Sequence, residues 1–148
     1  MKFSYMLPRN TKAKALNMVL NSNDRYDRHY RAKVAKKLRD LAKYQESGSV
    51  FDPYTVDRPC RVIAHVYPPT NQNMDPPNVW PTVKPLMDGL TDAGVWKDDN
   101  GRVVAETSFR LGGVSGKKGH YLIELEVRED TEEIQEELLV KIKKEYKQ

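Results

Sequence analysis

The chain has 148 residues, enough for one hydrophobic core, and carries a formal net charge of +4 with a pI near 9.1, which suits a polyanionic partner or an ordinary basic surface. Its single cysteine, Cys60, excludes an intrachain disulfide and a thiolate zinc cluster, and His29, His65 and His120 lie too far apart in sequence to show a metal-ligand spacing. No apolar run is long enough to cross a membrane, and the opening "MKFSYMLPRN" lacks the long apolar stretch and small-residue cleavage site of a signal peptide, so a cytoplasmic protein is expected.

In chain order, "AKALNMVL" at 13–20 reads as an edge strand or the entry to a first helix. The segment "NSNDRYDRHYRAKVAKKLRDLAKYQES" predicts that helix. Ser22, Asn23 or Asp24 can cap it, and Tyr26, Tyr30, Val34, Leu38 and Leu41 recur at helical spacing. Its outer face is basic, through Arg25, Arg28, Arg31, Lys33, Lys36, Lys37, Arg39 and Lys43, only partly offset by Asp24, Asp27 and Asp40. Such a face either grips phosphate or is simply solvated. "CRVIAHVYPP" alternates Val62, Ala64 and Val66 against Arg61, Ile63 and His65 and predicts a strand in which His65 is a satisfied strand residue.

Five of the nine prolines fall between Pro68 and Pro81, a loop of set shape because proline fixes φ and donates no ladder bond. A second helix is expected to start near Thr82 as N-cap, with Pro85 in its first turn and a buried stripe of Val83, Leu86, Leu90 and Ala93. Lys84 and Asp88 then lie four apart on its polar face, and Gly94 stops it. Val95 and Trp96 anchor the turn that follows. Two strand-like runs, "RVVAETSFRL" and "HYLIELEVRE", flank "GGVSGKKG", which reads as a hairpin with the basic tip Lys117-Lys118. That tip is not a phosphate-binding loop: Leu111 stands where the first glycine would be, and Lys118 where Ser or Thr would be. The tail "DTEEIQEELLVKIKKEYKQ" predicts a helix capped by Thr131. Its stripe of Ile134, Leu138, Ile142 and Tyr146 would pack on this domain or on a second subunit.

The chemistry-bearing residues cluster around the second helix. Asp75 precedes it, Asp88 lies on it, and Asp98 and Asp99 follow it. Carboxylates brought together this way suit Mg²⁺, which takes one or two carboxylates plus water and substrate phosphate, and Lys84 could hold a phosphate beside them. The local alternative is that Asp98-Asp99-Asn100-Gly101 is only a tight polar turn into a strand.

The stretch "DPPNVWPTVKPLMDGLTDAGVWKDDNGRVV" resembles the signature of the RusA family of Holliday-junction resolvases, small endodeoxyribonucleases of phages, prophages and bacteria. The likeness runs through Asp75, Asn78, Lys84, Asp88-Gly89-Leu90, Ala93-Gly94, Trp96 and Asp98-Asp99, and more loosely over residues 15 to 128. It implies an α+β fold, a small mixed or antiparallel sheet with packed helices. Residues 1–148 would form a single domain of that kind, with 130–148 as a C-terminal helical extension.

It also implies a homodimer acting on four-way DNA junctions in recombination and repair, with Mg²⁺, or Mn²⁺ in its place, and with no membrane and no nucleotide cofactor. Asp75, Lys84, Asp99 and Asp98 take the catalytic positions, and Asp75, Asp99 and Asp88 the metal positions. Asn78, Arg25, Arg28, Arg31, Lys33, Lys117 and Lys118 would contact DNA. Two departures stand out. Pro77 replaces the family's second aspartate, and three extra residues separate Asn78 from Lys84. A protein of the same fold that binds branched DNA without cutting it is therefore the alternative expectation.

Overall fold

The structure is a computed structural model that describes residues 1–131 and 139–145. It is an α+β fold: a four-stranded mixed sheet with helices packed on one face. The strands are β1 (Lys2–Pro8), β2 (Cys60–Tyr67), β3 (Val104–Leu111) and β4 (His120–Glu129), in the order β1-β4-β2-β3. The two long helices are α1 (Arg28–Glu46) and α2 (Trp80–Asp92). β4 runs antiparallel to both β1 and β2, whereas β2 and β3 are parallel and need the α2 crossover between them.

The sheet's inner face follows the period of two in each strand. Phe3, Tyr5 and Leu7 of β1, Val62, Ala64 and Val66 of β2, and Ile123, Leu125 and Val127 of β4 are buried against Val34, Leu38 and Ala42 of α1 and Val83, Leu86 and Leu90 of α2. His65 lies on the outer face and meets Glu126 at 2.9 Å, which accounts for it as a paired strand residue. There the His65 hydrogen bond, helped by Arg128, holds the Glu126 carboxyl below its usual range despite an opposing contribution from burial.

Four sequence expectations are corrected. The runs that flank "GGVSGKKG" are not a hairpin: β4 leaves the edge strand β3, passes β2 and inserts between β2 and β1. Residues 13–20 hold a 3₁₀ turn, Lys14–Leu16, and are neither an edge strand nor the entry to the first helix, which begins at Arg28. The first helix starts later than expected, with Asp27 as its cap, accepting from Tyr30 N at 2.8 Å. Asp24 is instead held by Arg9 in a two-point contact at 2.7 and 2.9 Å. The second helix starts at Trp80, so Thr82 is not its cap and Pro85 lies inside it, where Pro81's carbonyl loses its i+4 donor. Thr82 has another use: its buried hydroxyl accepts from Leu20 N and donates to Leu20 O, both at 2.7 Å, tying the early loop to the start of α2.

Gly94, at φ 86°, ends α2 as expected, and Val83, Leu86 and Leu90 are its buried stripe, whereas Ala93, expected in that stripe, is the C-cap and only half-buried. Of the predicted terminal stripe, Ile134, Leu138 and Tyr146 fall outside the described residues. Residues 139–145 are helical and expose Leu139, Val140 and Ile142. Among the described residues no helix is long and apolar enough to cross a membrane.

The α1–α2 crossing is fixed at Gly89. A Cβ there would sit 2.3 Å from the Arg39 carbonyl oxygen and 2.7 Å from Ala42 Cβ. Gly89→Ala is therefore predicted to destabilise the fold by about 2 kcal/mol through overpacking. At an exposed helical site the same change would stabilise by about 1 kcal/mol from helix propensity. Urea unfolding reads the sign directly, and a stabilised variant would show that the two helices are not held this close.

Candidate functional site

Helical geometry places Trp80, Lys84, Asp88 and Asp92 four residues apart along α2, each step turning the next side chain by about 40° and advancing about 6 Å. The row therefore winds across the outer side of the helix, from the sheet edge to α1. At one end Trp80 packs edge-on against Phe109 of β3, with ring centroids 6.1 Å apart. At the other, Asp92 accepts two hydrogen bonds from Arg39 of α1, at 2.6 and 2.9 Å. Lys84 and Asp88 lie between these anchors, partly exposed.

Asp99 reaches this row from the loop that leads into β3. That loop is held by its apolar pair: Val95 and Trp96 are buried, the Trp96 indole donates to Thr91 Oγ1 at 2.7 Å, and Val95 N bonds Leu90 O at 3.0 Å. Tyr54 adds a short parallel bridge, with Tyr54 N to Val95 O at 3.1 Å and Lys97 N to Tyr54 O at 3.0 Å. The polar turn closes on itself. Asp98 accepts from Asp99 N at 2.7 Å and from the Asn100 side chain at 3.1 Å, while Asn100 accepts from Arg102 N at 2.9 Å. The two adjacent acids thus have different tasks: Asp98 shapes the turn and Asp99 points to α2.

There the Lys84 ammonium donates to Asp88 Oδ1 at 2.8 Å and to Asp99 Oδ2 in a very short contact. Burial disfavours the Lys84 charge, but its two carboxylate partners outweigh burial and raise its pKa. Burial also raises Asp88, and its hydrogen bond to Asp99 adds to that, so Asp88 ends above the ordinary carboxylate range despite Lys84. Asp99 feels the same burial, but the bonds from Lys84 and Asp88 prevail and hold it below that range. One cation between two acids leaves a single net negative charge, with one carboxyl easier to protonate than the other.

The remaining expected residues lie elsewhere. Asp75 is exposed at the N-cap of a short 3₁₀ helix, Pro76–Val79, without a side-chain capping bond. Among the described residues no three His, Cys, Asp or Glu side chains gather as a metal set, so the expected meeting of Asp75 with Asp88 and Asp99 does not occur. The space between the two acids that do converge is filled by the Lys84 ammonium. Asn78, in the same 3₁₀ helix, is held through its carbonyl by Ser22 N at 2.8 Å and Ser22 Oγ at 3.2 Å, and its backbone N–H bonds Asp75 O at 3.0 Å.

Arg25, Arg28, Arg31 and Lys33 are exposed and form no ion pair among the described residues. Lys117 and Lys118 are exposed on a turn pinned to the end of β2 by Ser115 N to Pro68 O at 2.8 Å. Besides Lys84, two other basic residues share a cleft with Asp88. Lys36 and Arg39 of α1, with Ala35, Pro85 and Asp88, line a cleft of about 240 Å³ beside the Lys84 cluster. Both belong to the basic helix face legible in the sequence, but their position beside Asp88 depends on the α1–α2 crossing. Trp80 is the other missed residue, although its four-residue spacing from Lys84 was a usable signal.

No family model matches the chain, and no curated protein matches it significantly.

The electrostatics yield an ordered titration. As pH falls, Asp88 is expected to protonate before Asp99, because its pKa lies above the ordinary carboxylate value and that of Asp99 below it. Removing the shared cation with Lys84→Met should move both carboxyls upward. Carbon-13 NMR of the aspartate carboxyl groups measures both effects. Unchanged titrations in Lys84→Met would mean that the ammonium does not sit between them in solution.

Proposed function

We propose that the chain is a divalent-metal-dependent endodeoxyribonuclease of the RusA type that hydrolyses phosphodiesters at four-way DNA junctions as a homodimer. The observation that carries this reading is the convergence of Lys84, Asp88 and Asp99. These residues lie up to 15 positions apart, and the resemblance assigns all three to the centre.

The donor set fits a hard cation. Two carboxylates face one positive charge, and Mg²⁺ or Mn²⁺ bound through one or two carboxylates, with water and substrate phosphate completing the shell, matches that chemistry. Asp88 and Asp99 are the residues that would hold it. Bound there, such an ion supplies a water of lowered pKa and neutralises charge on a phosphoryl oxygen.

The chain's own residues do the rest. Lys84, freed from one or both carboxylates, can present its ammonium to the phosphate as a point charge. Asp98 keeps Asp99 aimed through the turn it closes. Arg25, Arg28, Arg31 and Lys33, exposed and without an ion pair among the described residues, give α1 a cationic surface suited to backbone phosphates, while Lys36 and Arg39 beside the cleft are paired with Asp40 and Asp92. A two-fold enzyme suits a junction with two equivalent strands to cut.

The second reading is a protein of the same fold that binds branched DNA without cutting. It is favoured by the position of Asp75, which stays outside the Lys84 cluster and is followed by Pro77 where the family has an acid.

Labelled four-way junction and linear duplex, with and without Mg²⁺, separate the two. The nuclease reading predicts metal-dependent paired nicks on the junction, reduced at least about 100-fold in Asp99→Asn, a loss comparable to removal of one preorganised electrostatic contact. Tight junction binding without nicks supports the binder, and no preference for the junction contradicts both. Binding should also weaken steeply with salt, and less steeply in a variant with Arg28, Arg31 and Lys33 changed to Gln.

A further inference from the structure

Trp80 is 38% exposed, whereas Trp96, the chain's other tryptophan, is 1% exposed. Folding gains little from leaving so large a ring open to water. The ring is also held in place: it belongs to the first turn of α2, and its T-shaped contact with Phe109 of β3 supports it from the sheet side. It stands in the same row as Lys84, one helical turn away, about 6 Å along the axis. Stacked bases follow one another at about 3.4 Å, so that separation equals roughly two stacking steps. A strand whose phosphate meets Lys84 therefore has a neighbouring base within reach of the indole.

Resting on the nuclease reading, we propose that Trp80 is a specificity-determining residue that stacks on an unstacked base next to the phosphate held by Lys84. It thereby favours DNA with an opened or branched step over continuous duplex. The surroundings point to a nucleic-acid strand rather than an apolar protein surface. Along its helix the next outward side chains are Lys84, Asp88 and Asp92, all charged, and the cleft beyond carries Lys36 and Arg39. An aromatic face one helical turn from an ammonium that can meet phosphate, as Trp80 stands to Lys84, is a combination that binds unpaired nucleotides without sequence preference, since every base offers a π-face. In continuous duplex both faces of each base are covered, so the contact needs a base already released by a junction, gap or bulge.

The test uses the full chain without metal, so that binding is read apart from cutting. Three DNAs of matched length are compared: a four-way junction, a duplex with a two-nucleotide bulge, and a continuous duplex. Trp80→Ala should weaken binding to the first two by about 5- to 100-fold, the range of one base–aromatic stack, and binding to continuous duplex by less than about twofold. Trp80→Phe should retain most of the preference. Tryptophan emission should be quenched by junction and bulge in the wild type and not in Trp80→Phe, a readout that survives if Trp80→Ala folds poorly.

Equal losses on all three DNAs, or none, overturn the proposal. So does a loss of self-association with DNA preference intact, which would make the ring a protein contact. If the wild type binds junctions but never nicks them with Mg²⁺, the nuclease reading fails while the stacking role is still decided by these affinities. If it binds no DNA, both fail.

Discussion

The close approach of α1 and α2 at Gly89 governs the rest of the molecule. With no Cβ at that point, the backbone of α2 comes against the Arg39 carbonyl and Ala42, closer than any side chain would permit. This fixes the rotation of α2 about its axis. Val83, Leu86 and Leu90 then turn inward to the sheet, and the row from Trp80 to Asp92 turns outward. The Arg39–Asp92 pair and the Trp80–Phe109 contact lie at the two ends of that row and reinforce the same rotation. The Thr82–Leu20 hydrogen bonds fix the N-terminal end of the helix in depth. A rigid helix face, set by backbone packing, is a good platform for charges that must keep their spacing.

On that platform Lys84 has two carboxylate partners and Asp99 has been brought from another segment. The ammonium between the acids offsets one of their two charges, which leaves the arrangement with a single net negative charge. Partial exposure keeps the energetic weight of these pairs modest, since solvent screens them. Their interest lies in their poise: a group held by two solvent-screened contacts can exchange one partner for another. Asp98 meanwhile illustrates why adjacent acids need not compete. Its oxygens are committed to the loop, which leaves Asp99 as the acid presented to α2.

Much of this was legible in the sequence where the signal was local. Alternation in "CRVIAHVY" located β2, the four-residue spacing of Lys84 and Asp88 gave their pairing, and Gly94 with Val95-Trp96 gave the helix stop and its anchor. β1 is equally legible, since Phe3, Tyr5 and Leu7 alternate with Lys2, Ser4 and Met6 at the period of a strand. The parts that were misread depend on long-range partners. Nothing in "RVVAETSFRL" or "HYLIELEVRE" says that β4 prefers the slot between β1 and β2 to its neighbour in sequence. The path of the proline loop decides where Asp75 ends up, and its prolines fix local φ without fixing direction. The start of α2 moved because Trp80 and Pro81 already suit a first turn, which freed Thr82 for a tertiary contact.

The central claim is that Asp88 and Asp99 together hold a divalent cation, with Lys84 yielding its place. Paramagnetic broadening by Mn²⁺, followed at the aspartate carboxyl carbons of the whole chain, tests it most directly. The account predicts that the Asp88 and Asp99 signals broaden first and together at low Mn²⁺, with Mg²⁺ competing the effect away. Broadening that starts at other carboxylates, or that spreads over the surface without reaching this pair first, would contradict it.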